Sequence, residues 1–427
     1  MNDADGRAAD AATVADDVAL HHLDIAVAGD GLTPVFQPIV SLPDGAVIGF
    51  EALARWRHLG DVAPEVVFAH AAGTGREGSL ERMCIDTAIE AALAAELPTG
   101  TALFINCETT TPHVGRAESS SLARAAERYQ LVFELTERSL LNDPPRLLSK
   151  VAALRSDGFA IALDDVGADP APLALLDVVA PDVIKLDLAV VQSQSRYDRA
   201  RTWAAVLAQH ERAGAVVLAE GIEEDAHVHR AIALGATLGQ GFKYGHPGPV
   251  SVGRQIAAGW MPPSRPDCPC RDIASPFDAL AARVPIRQER KDTVLALSRY
   301  LEQQAVDAMN PPIVLASVQR AEFFRGRTRR CYERLAAAAP LVAVFGEDVP
   351  EHPGTRVRGA CISADDSLST QWIVLMLGAS DAAALVAREV TDGIGTVADR
   401  DRRFDVMLTH DRDLVTAAAC MLLSRMT

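Results

Sequence analysis

Between residues 33 and 250 the chain repeats one theme, a short apolar or β-branched run followed by an Ala/Leu-rich stretch, and this alternation limits the fold more than any other feature. The runs are PVFQPIVSL (34–42), TALFINCE (101–108), QLVFELTE (130–137), FAIALDDVG (159–167), DVIKLD (182–187), AVVLAEGI (215–222) and GATLGQGF (235–242). Stretches such as LERMCIDTAIEAALAAEL (80–97) and RLLSKVAALRSDG (146–158) between them predict helices. Near-continuous apolar runs suit strands buried on both faces, and their alternation with helices suits parallel βα units. Seven or eight such units predict an α/β fold of the (β/α)8 TIM-barrel type, ahead of a doubly wound open sheet.

With 427 residues the chain exceeds what one ordinary core needs. Composition breaks at GWMPPSRPDCPCRDIASP (259–276), which is Pro-rich and aperiodic and reads as a linker. The expected organisation is a frayed Ala/Asp-rich start (1–20), a barrel (21–258), the linker, and a smaller α/β domain (277–427). That domain opens with a helix whose Val294, Leu297, Leu301 and Ala305 share a face. PPIVLASV, PLVAVFGE and QWIVLMLG then predict strands, and HDRDLVTAAACMLLSRM a closing helix.

The formal net charge of −16 argues against binding nucleic-acid polymers or anionic membranes. It leaves room for a small phosphorylated ligand held through metal ions. No stretch is apolar enough to predict a membrane span, and the acidic opening MNDADGRAADAATVADDVAL lacks the apolar centre of a secretory signal. With seven scattered cysteines, a reducing cytoplasm is expected. Cys268 and Cys270 lack a second Cys or His pair at ligand spacing nearby, so they read as ordinary thiols.

In a barrel the C-terminal ends of the strands converge on one mouth, where chemistry sits. Those ends carry Asn106, Glu134 and Glu137, Asp164 and Asp165, Lys185 and Asp187, Glu220 and Glu223, and Gln240; GFEALARWRH adds Glu51, Arg55 and Arg57. So many carboxylates in one space repel unless a cation neutralises them. Oxygen donors without an organised Cys or His set indicate a hard divalent ion, Mg²⁺ or Mn²⁺. Two ions need a shared ligand. Asp164 can bridge them while Asp165 holds one, with Gly167 providing the turn that brings both to the mouth. Asp187 can also pair with Lys185, while Arg57 and His58 read as surface residues.

The motif set resembles the EAL-domain cyclic di-GMP phosphodiesterases: FEALARW around Glu51, QPIV (37–40), Asn106, ELTE (134–137), DD (164–165), IKLD (184–187), AEGIE (219–223) and QGF (240–242). The similarity covers about residues 20–255. It implies hydrolysis of cyclic di-GMP to linear pGpG. It further implies that Glu51, Asn106, Glu134 and Asp164 hold one metal ion and Asp164 and Asp165 a second. Lys185 and Glu220 would orient and deprotonate water, and Gln37, Arg55 and Gln240 would contact substrate or water. Glu137, Glu223 and Asp187 would position loops. A homodimer is expected on the same resemblance. Where the family usually reads DDFGTG, this chain reads DDVGAD, so Val166 and Ala168 depart from the pattern in a loop that, in the family, helps place the second metal and couples the barrel to its dimer partner. Binding of cyclic di-GMP as a receptor, with weak or no hydrolysis, is the alternative; a metal hydrolase of another phosphodiester is the third reading.

Residues 277–427 resemble the DICT sensory domain through LALSRYLE, VQRAEFF, LVAVFGE and QWIVLMLG. Its ligand or partner is not specified by the sequence. QRAEFFRGRTRRCYERL (319–335) sets several Arg around Phe323 and Phe324. It reads as a solvated helix face or a contact with the acidic barrel ahead of a phosphate or nucleotide site.

Overall fold

The apolar runs form strands whose alternate residues face opposite sides, and the sheet they build closes on itself. The computed structural model describes residues 20–57, 62–136, 141–168, 171–193, 195–250, 256–257, 259–262, 275–390 and 402–426. The barrel strands are β1 (Leu32–Ser41), β2 (Val47–Trp56), β3 (Ala102–Asn106), β4 (Gln130–Thr136), β5 (Ala160–Val166), β6 (Val183–Leu186), β7 (Val216–Ala219) and β8 (Leu238–Gln240), closed in chain order. The expected α/β barrel is therefore present, with one reversal. Strands β2 to β8 run parallel, but β1 is antiparallel to both β2 and β8. The cause is local. Pro43-Asp44-Gly45 makes a tight turn between β1 and β2, with Gly45 at φ 70° and Asp44 Oδ1 accepting from the Ala46 amide at 3.1 Å. A connection this short can join only antiparallel strands.

The parity of each strand decides what fills the barrel. Outward residues such as Leu103, Ile105, Leu131, Phe133, Ile161, Leu163, Ile184 and Leu186 are buried under the helices. Inward residues Ile39, Phe104, Val132, Ala160, Ala162, Val183, Leu218 and Leu238 form a separate apolar plug. Trp260 packs against this plug, with its ring 6.2 Å from that of Phe104. Composition assigns Trp260 to the linker; in the fold it belongs to the barrel core, because a large aromatic can be seated by an otherwise aperiodic segment. Residues 263–274, the centre of that linker with Cys268 and Cys270, lie outside the described residues, as do residues 1–19 of the N-terminal segment.

The second unit is a seven-stranded mixed sheet of β9 (Arg287–Arg290), β10 (Ile313–Arg320), β11 (Val342–Glu347), β12 (Arg358–Cys361), β13 (Gln371–Leu377), β14 (Ala382–Glu389) and β15 (Arg403–Thr409), in the order β12-β11-β10-β13-β14-β15-β9. Period-two alternation gives it two apolar faces. Val314, Ala316, Val344, Val374 and Leu385 pack under helices Lys291–Asp307 and Arg327–Ala336. Ile313, Leu315, Phe345, Ile373 and Val386 face the other way, in one core with helix Arg412–Leu423. Within QRAEFFRGRTRRCYERL, Arg325, Arg329 and Arg330 are exposed, as a solvated helix face requires. No helix among the described residues is long and apolar enough to cross a membrane.

Helix Arg412–Leu423 also packs on the barrel, against helices Pro144–Ser156 and Leu176–Val179. Its buried residues Leu414, Val415, Ala418, Leu422 and Leu423 leave it almost no wet face. At its first turn Arg412 Nη1 donates to Asp177 Oδ2 at 2.5 Å and to the Gly378 carbonyl at 2.9 Å, and Nη2 donates to the Ala379 carbonyl at 3.3 Å. Arg358 Nη1 donates across the same boundary to the Asn142 carbonyl at 3.1 Å. Removing Arg412 leaves Asp177 with only the half-exposed Arg212, 3.1 Å away, as its cation. Arg412→Ala is expected to lower unfolding stability by about 2–3 kcal/mol, read by denaturant titration of the full chain. A change below about 0.5 kcal/mol, the range of ordinary surface substitutions, would mean that this pair does not hold the units together.

Candidate active site

Each inward row of the barrel climbs from an apolar floor to a polar top. Ala102 and Phe104 lead to Asn106, Val132 to Glu134, Ala160 and Ala162 to Asp164, Val183 to Lys185, Leu218 to Glu220, and Leu238 to Gln240. Strand register then sets neighbours side by side: Gln37 pairs with Glu51 across β1–β2, and Asn106 with Glu134 across β3–β4. The polar ends meet because period two carries them there, one from each strand.

At the centre stands Lys185, fully buried. Its Nζ lies 2.8 Å from Glu134 Oε1, 2.9 Å from Glu220 Oε1, 3.0 Å from Asp164 Oδ1 and 3.6 Å from Glu51 Oε2. Burial alone would lower its pKa; the carboxylates of Asp164, Glu134, Glu220 and Glu51 outweigh that and hold it well above the usual lysine value. One ammonium cannot neutralise four carboxylates. Burial first, then the Glu51 charge, drives the Glu134 carboxyl well above the usual range. Burial, with Asp164 and Glu51 nearby, pushes Glu220 up to about 8 against the opposing pull of Lys185. For Glu51 the burial cost is overcome by Lys185 and by hydrogen bonds, and its pKa falls. Those bonds come from Gln240 Nε2 at 2.6 Å and Asn106 Nδ2 at 3.2 Å.

Asp164 and Asp165 are adjacent, and in a regular strand they would point to opposite faces. Asp165 itself takes a left-handed conformation, φ 57°, and the pairing of β5 with β6 slips between Leu163 and Val166. Gly167 follows at φ 96°, where an added Cβ would stand 2.7 Å from Thr202 Cγ2. The turn expected at Gly167 thus begins two residues earlier, at Asp165, one of the few non-Gly types that tolerate αL. Its result is two overlapping carboxylate sets. Ligand atoms of Glu51, Glu134 and Asp164 lie within 4.8 Å of one another, as do those of Asp164, Asp165 and Glu220. Asp164 belongs to both. Both Glu134 oxygens are buried and accept no well-formed hydrogen bond, although Lys185 stands beside one of them. Oxygen donors in excess of the local positive charge, two of them orphaned, fit hard divalent cations such as Mg²⁺ or Mn²⁺.

Above these acids opens a cleft of about 1280 Å³ lined by Glu51, Asn106, Asp164, Asp165 and Arg55. Arg55, half-buried, keeps one Nη1 bond to the Ala54 carbonyl at 2.8 Å. Gln37 and Gln240, expected to contact substrate or water, are buried beside Glu51: Gln240 Nε2 also donates to Gln37 Oε1 at 3.0 Å, and Gln37 Nε2 to the Gly245 carbonyl at 3.1 Å. Asp187 caps helix Leu188–Gln192, its Oδ1 accepting from the Ala189 amide at 2.7 Å, and does not pair with Lys185. The Glu223 side chain is exposed, and its backbone amide donates to His227 Nδ1 at 3.2 Å. Arg57 is exposed; Glu137 and His58 lie outside the described residues.

One buried cluster escaped sequence reasoning. Glu81 accepts from the Glu108 amide at 2.8 Å and from Lys150 Nζ at 3.2 Å, and Lys150 also donates to the Thr111 carbonyl at 3.2 Å. The Thr111 hydroxyl closes the set on Glu81. It ties the segment after Asn106 to two barrel helices. Glu81 and Lys150 sit 69 residues apart on helices, and only tertiary structure brings them together.

A family model described as the EAL domain matches residues 21–247, more than half of the chain. The chain belongs to the EAL-domain family. A second model, the sensory domain in diguanylate cyclases and two-component systems (DICT), matches residues 279–390. The cyclic di-GMP phosphodiesterase RocR of Pseudomonas aeruginosa is 29% identical over 230 residues, covering 50% of this chain and 57% of that protein. An uncharacterized protein of Azorhizobium caulinodans is 30% identical over 230 residues, covering 51% of this chain and 31% of that protein. The Klebsiella pneumoniae BlrP1 calcium/cyclic di-GMP complex is 28% identical with a TM-score of 0.45, covering 52% of this chain and 56% of that one. This EAL chain thus spans less than two thirds of the length of these relatives.

The acid cluster has a measurable pH signature. The folded pKa of Glu220, about 8, lies above the ~4.3 of an unfolded glutamate. Between these values the folded protein holds a proton that the unfolded chain has lost, so stability falls as pH rises from about 5 to 8; Glu134, shifted in the same direction, adds to the fall. In EDTA, Glu220→Gln is expected to flatten this slope by up to about 1.4 kcal/mol per pH unit. Chemical denaturation at pH 5.5, 6.5 and 7.5 reads it, and an unchanged slope would place the Glu220 proton elsewhere.

Proposed function

We propose that this EAL chain hydrolyses one phosphodiester bond of cyclic di-GMP to give linear pGpG, in a reaction that depends on divalent cations. The observation that carries the reading is the pair of carboxylate sets sharing Asp164, placed beside Lys185 and Glu220 beneath a cleft that Arg55 lines. The name of the RocR relative supports the substrate. Glu51, Asn106, Glu134 and Asp164 would hold one Mg²⁺ or Mn²⁺ ion, and Asp164 with Asp165 a second. Bound there, such ions supply Lewis acidity for an in-line displacement at phosphorus.

The chain's own residues do the remainder. Arg55 offers a forked donor to a phosphate oxygen and fixes the nucleotide at the cleft. Lys185, held as an ammonium by the surrounding carboxylates, orients the attacking water, and Glu220 draws off its proton. A carboxyl whose pKa lies near the working pH suits this task. The water oxygen bonds to phosphorus, one ester P–O bond breaks, and the released ribose oxygen takes a proton. Gln240 and Gln37 keep Glu51 oriented, and the Glu81–Lys150–Thr111 cluster steadies the segment beyond Asn106.

A cyclic di-GMP receptor with weak hydrolysis is the second reading, favoured by Val166 and Ala168 in the loop after Asp165. Purified chain incubated with cyclic di-GMP and Mg²⁺ or Mn²⁺, with products resolved by chromatography, separates the two. Linear pGpG is expected from the wild type, and none with EDTA or with Asp164→Ala. Glu51→Ala should lower turnover by at least about 10²-fold while calorimetric affinity changes less than about tenfold. Binding without product would establish the receptor reading. Equal loss of both in Glu51→Ala would assign Glu51 to binding or folding.

A further inference from the structure

The sheet of the C-terminal unit carries a cleft on the face opposite helix Arg412–Leu423, lined by helices Lys291–Asp307 and Arg327–Ala336 and by β10 and β13. It is a partly open cleft with about 940 Å³ of space, including the part open to solvent. Its walls divide by chemistry. Val318, Trp372 and Tyr332 make an apolar and aromatic floor, with Tyr332 fully buried and Trp372 half-buried. Phe323 stands at the edge, 43% exposed. Lys291 Nζ lies 5.8 Å from its ring centre.

The rim is basic, in a chain whose net charge is −16. Lys291, Arg299, Arg327 and Arg402 line the cleft against a single acid, Glu302. Arg402 is occupied by Glu389, which accepts from its Nε at 2.6 Å. The half-buried Glu302 carboxyl lies beside Cys331 and Tyr332 and within the field of Arg299 and Arg327. Arg299 and Arg327 are exposed; both feel the charge of Glu302, and no direct ion pair or hydrogen bond holds either among the described residues. One further feature marks the site as built for something other than packing. Gln319, 9% exposed and lining the cleft, holds a left-handed conformation at φ 64° at a bulge in β10. Its side chain is fixed by a bond from Nε2 to the Thr370 carbonyl at 3.2 Å. Non-glycine residues occupy that region only where the surroundings impose it, and such positions gather at ligand sites.

We propose that this cleft binds a small aromatic acid, with the ring seated among Trp372, Tyr332 and Phe323 and the acid group at Arg299 and Arg327. An apolar floor selects a planar hydrophobic body, and two exposed guanidinium groups that share the single acid Glu302 select one anionic group over a neutral or cationic one. The proposal is independent of what the EAL barrel hydrolyses.

The test uses the full chain and two probes that differ only in charge: 8-anilinonaphthalene-1-sulfonate and its uncharged parent N-phenyl-1-naphthylamine. Fluorescence titration is expected to give one saturable sulfonate site per chain. Arg299→Gln combined with Arg327→Gln should weaken the sulfonate at least about tenfold and leave the neutral probe unchanged. Phe323→Ala should weaken both. All three positions are exposed, and unchanged circular dichroism and melting temperature confirm folding; should the double variant unfold, the single variants carry the same comparison. Absence of saturable binding, sulfonate affinity untouched by the variants, or equal loss of both probes in the arginine variants would each overturn the proposal.

Discussion

The buried ammonium of Lys185 among four carboxylates is the interaction on which the EAL barrel's interior depends. Five strands deliver those groups, and without a cation between them the mouth could not stay closed around so much negative charge. A single lysine offsets only part of it. The remainder appears in the raised pKa values of Glu134 and Glu220 and in the two Glu134 oxygens left without good donors. The apolar plug below and the acid ring above are consequences of one another. A dry floor raises the cost of each uncompensated charge, and that cost makes the site receptive to divalent ions.

Much of this was legible in the sequence because the period of a strand is short and rigid. Once seven apolar runs were recognised, their C-terminal residues named Asn106, Glu134, Asp164, Lys185, Glu220 and Gln240 as neighbours, and the structure brings them together. Strand β2 was harder to see. EALAR is composed of strong helix formers, and only its place between β1 and β3 makes it extended. The reversal of β1 hung on a two-residue matter, Asp44-Gly45, which the broad count of βα units passed over. Register and side-chain partners stayed out of reach for the same reason as the Glu81–Lys150 pair: they depend on how distant segments meet. Gln37 and Gln240 could be placed at the mouth from the sequence, but that they hold Glu51 could not.

The sensory unit is joined to the barrel by more than a tether. Helix Arg412–Leu423 rests on the sheet on one side and on helices Pro144–Ser156 and Leu176–Val179 on the other. Those two helices flank β5, whose end supplies Asp164 and Asp165. The closing helix therefore touches the neighbours of the strand that carries Asp164 and Asp165, while the cleft lies on the other face of the same sheet.

That shared helix also sets an order of assembly. A ribosome releases the barrel strands long before it reaches residue 412, and N-terminal units fold as they emerge. The barrel face that will receive this helix stays uncovered throughout synthesis of the C-terminal sheet. Its apolar surface is a nascent-chain liability that helix Arg412–Leu423 relieves. The wall of the EAL barrel is thus completed by a segment more than 200 residues downstream of the helices it covers.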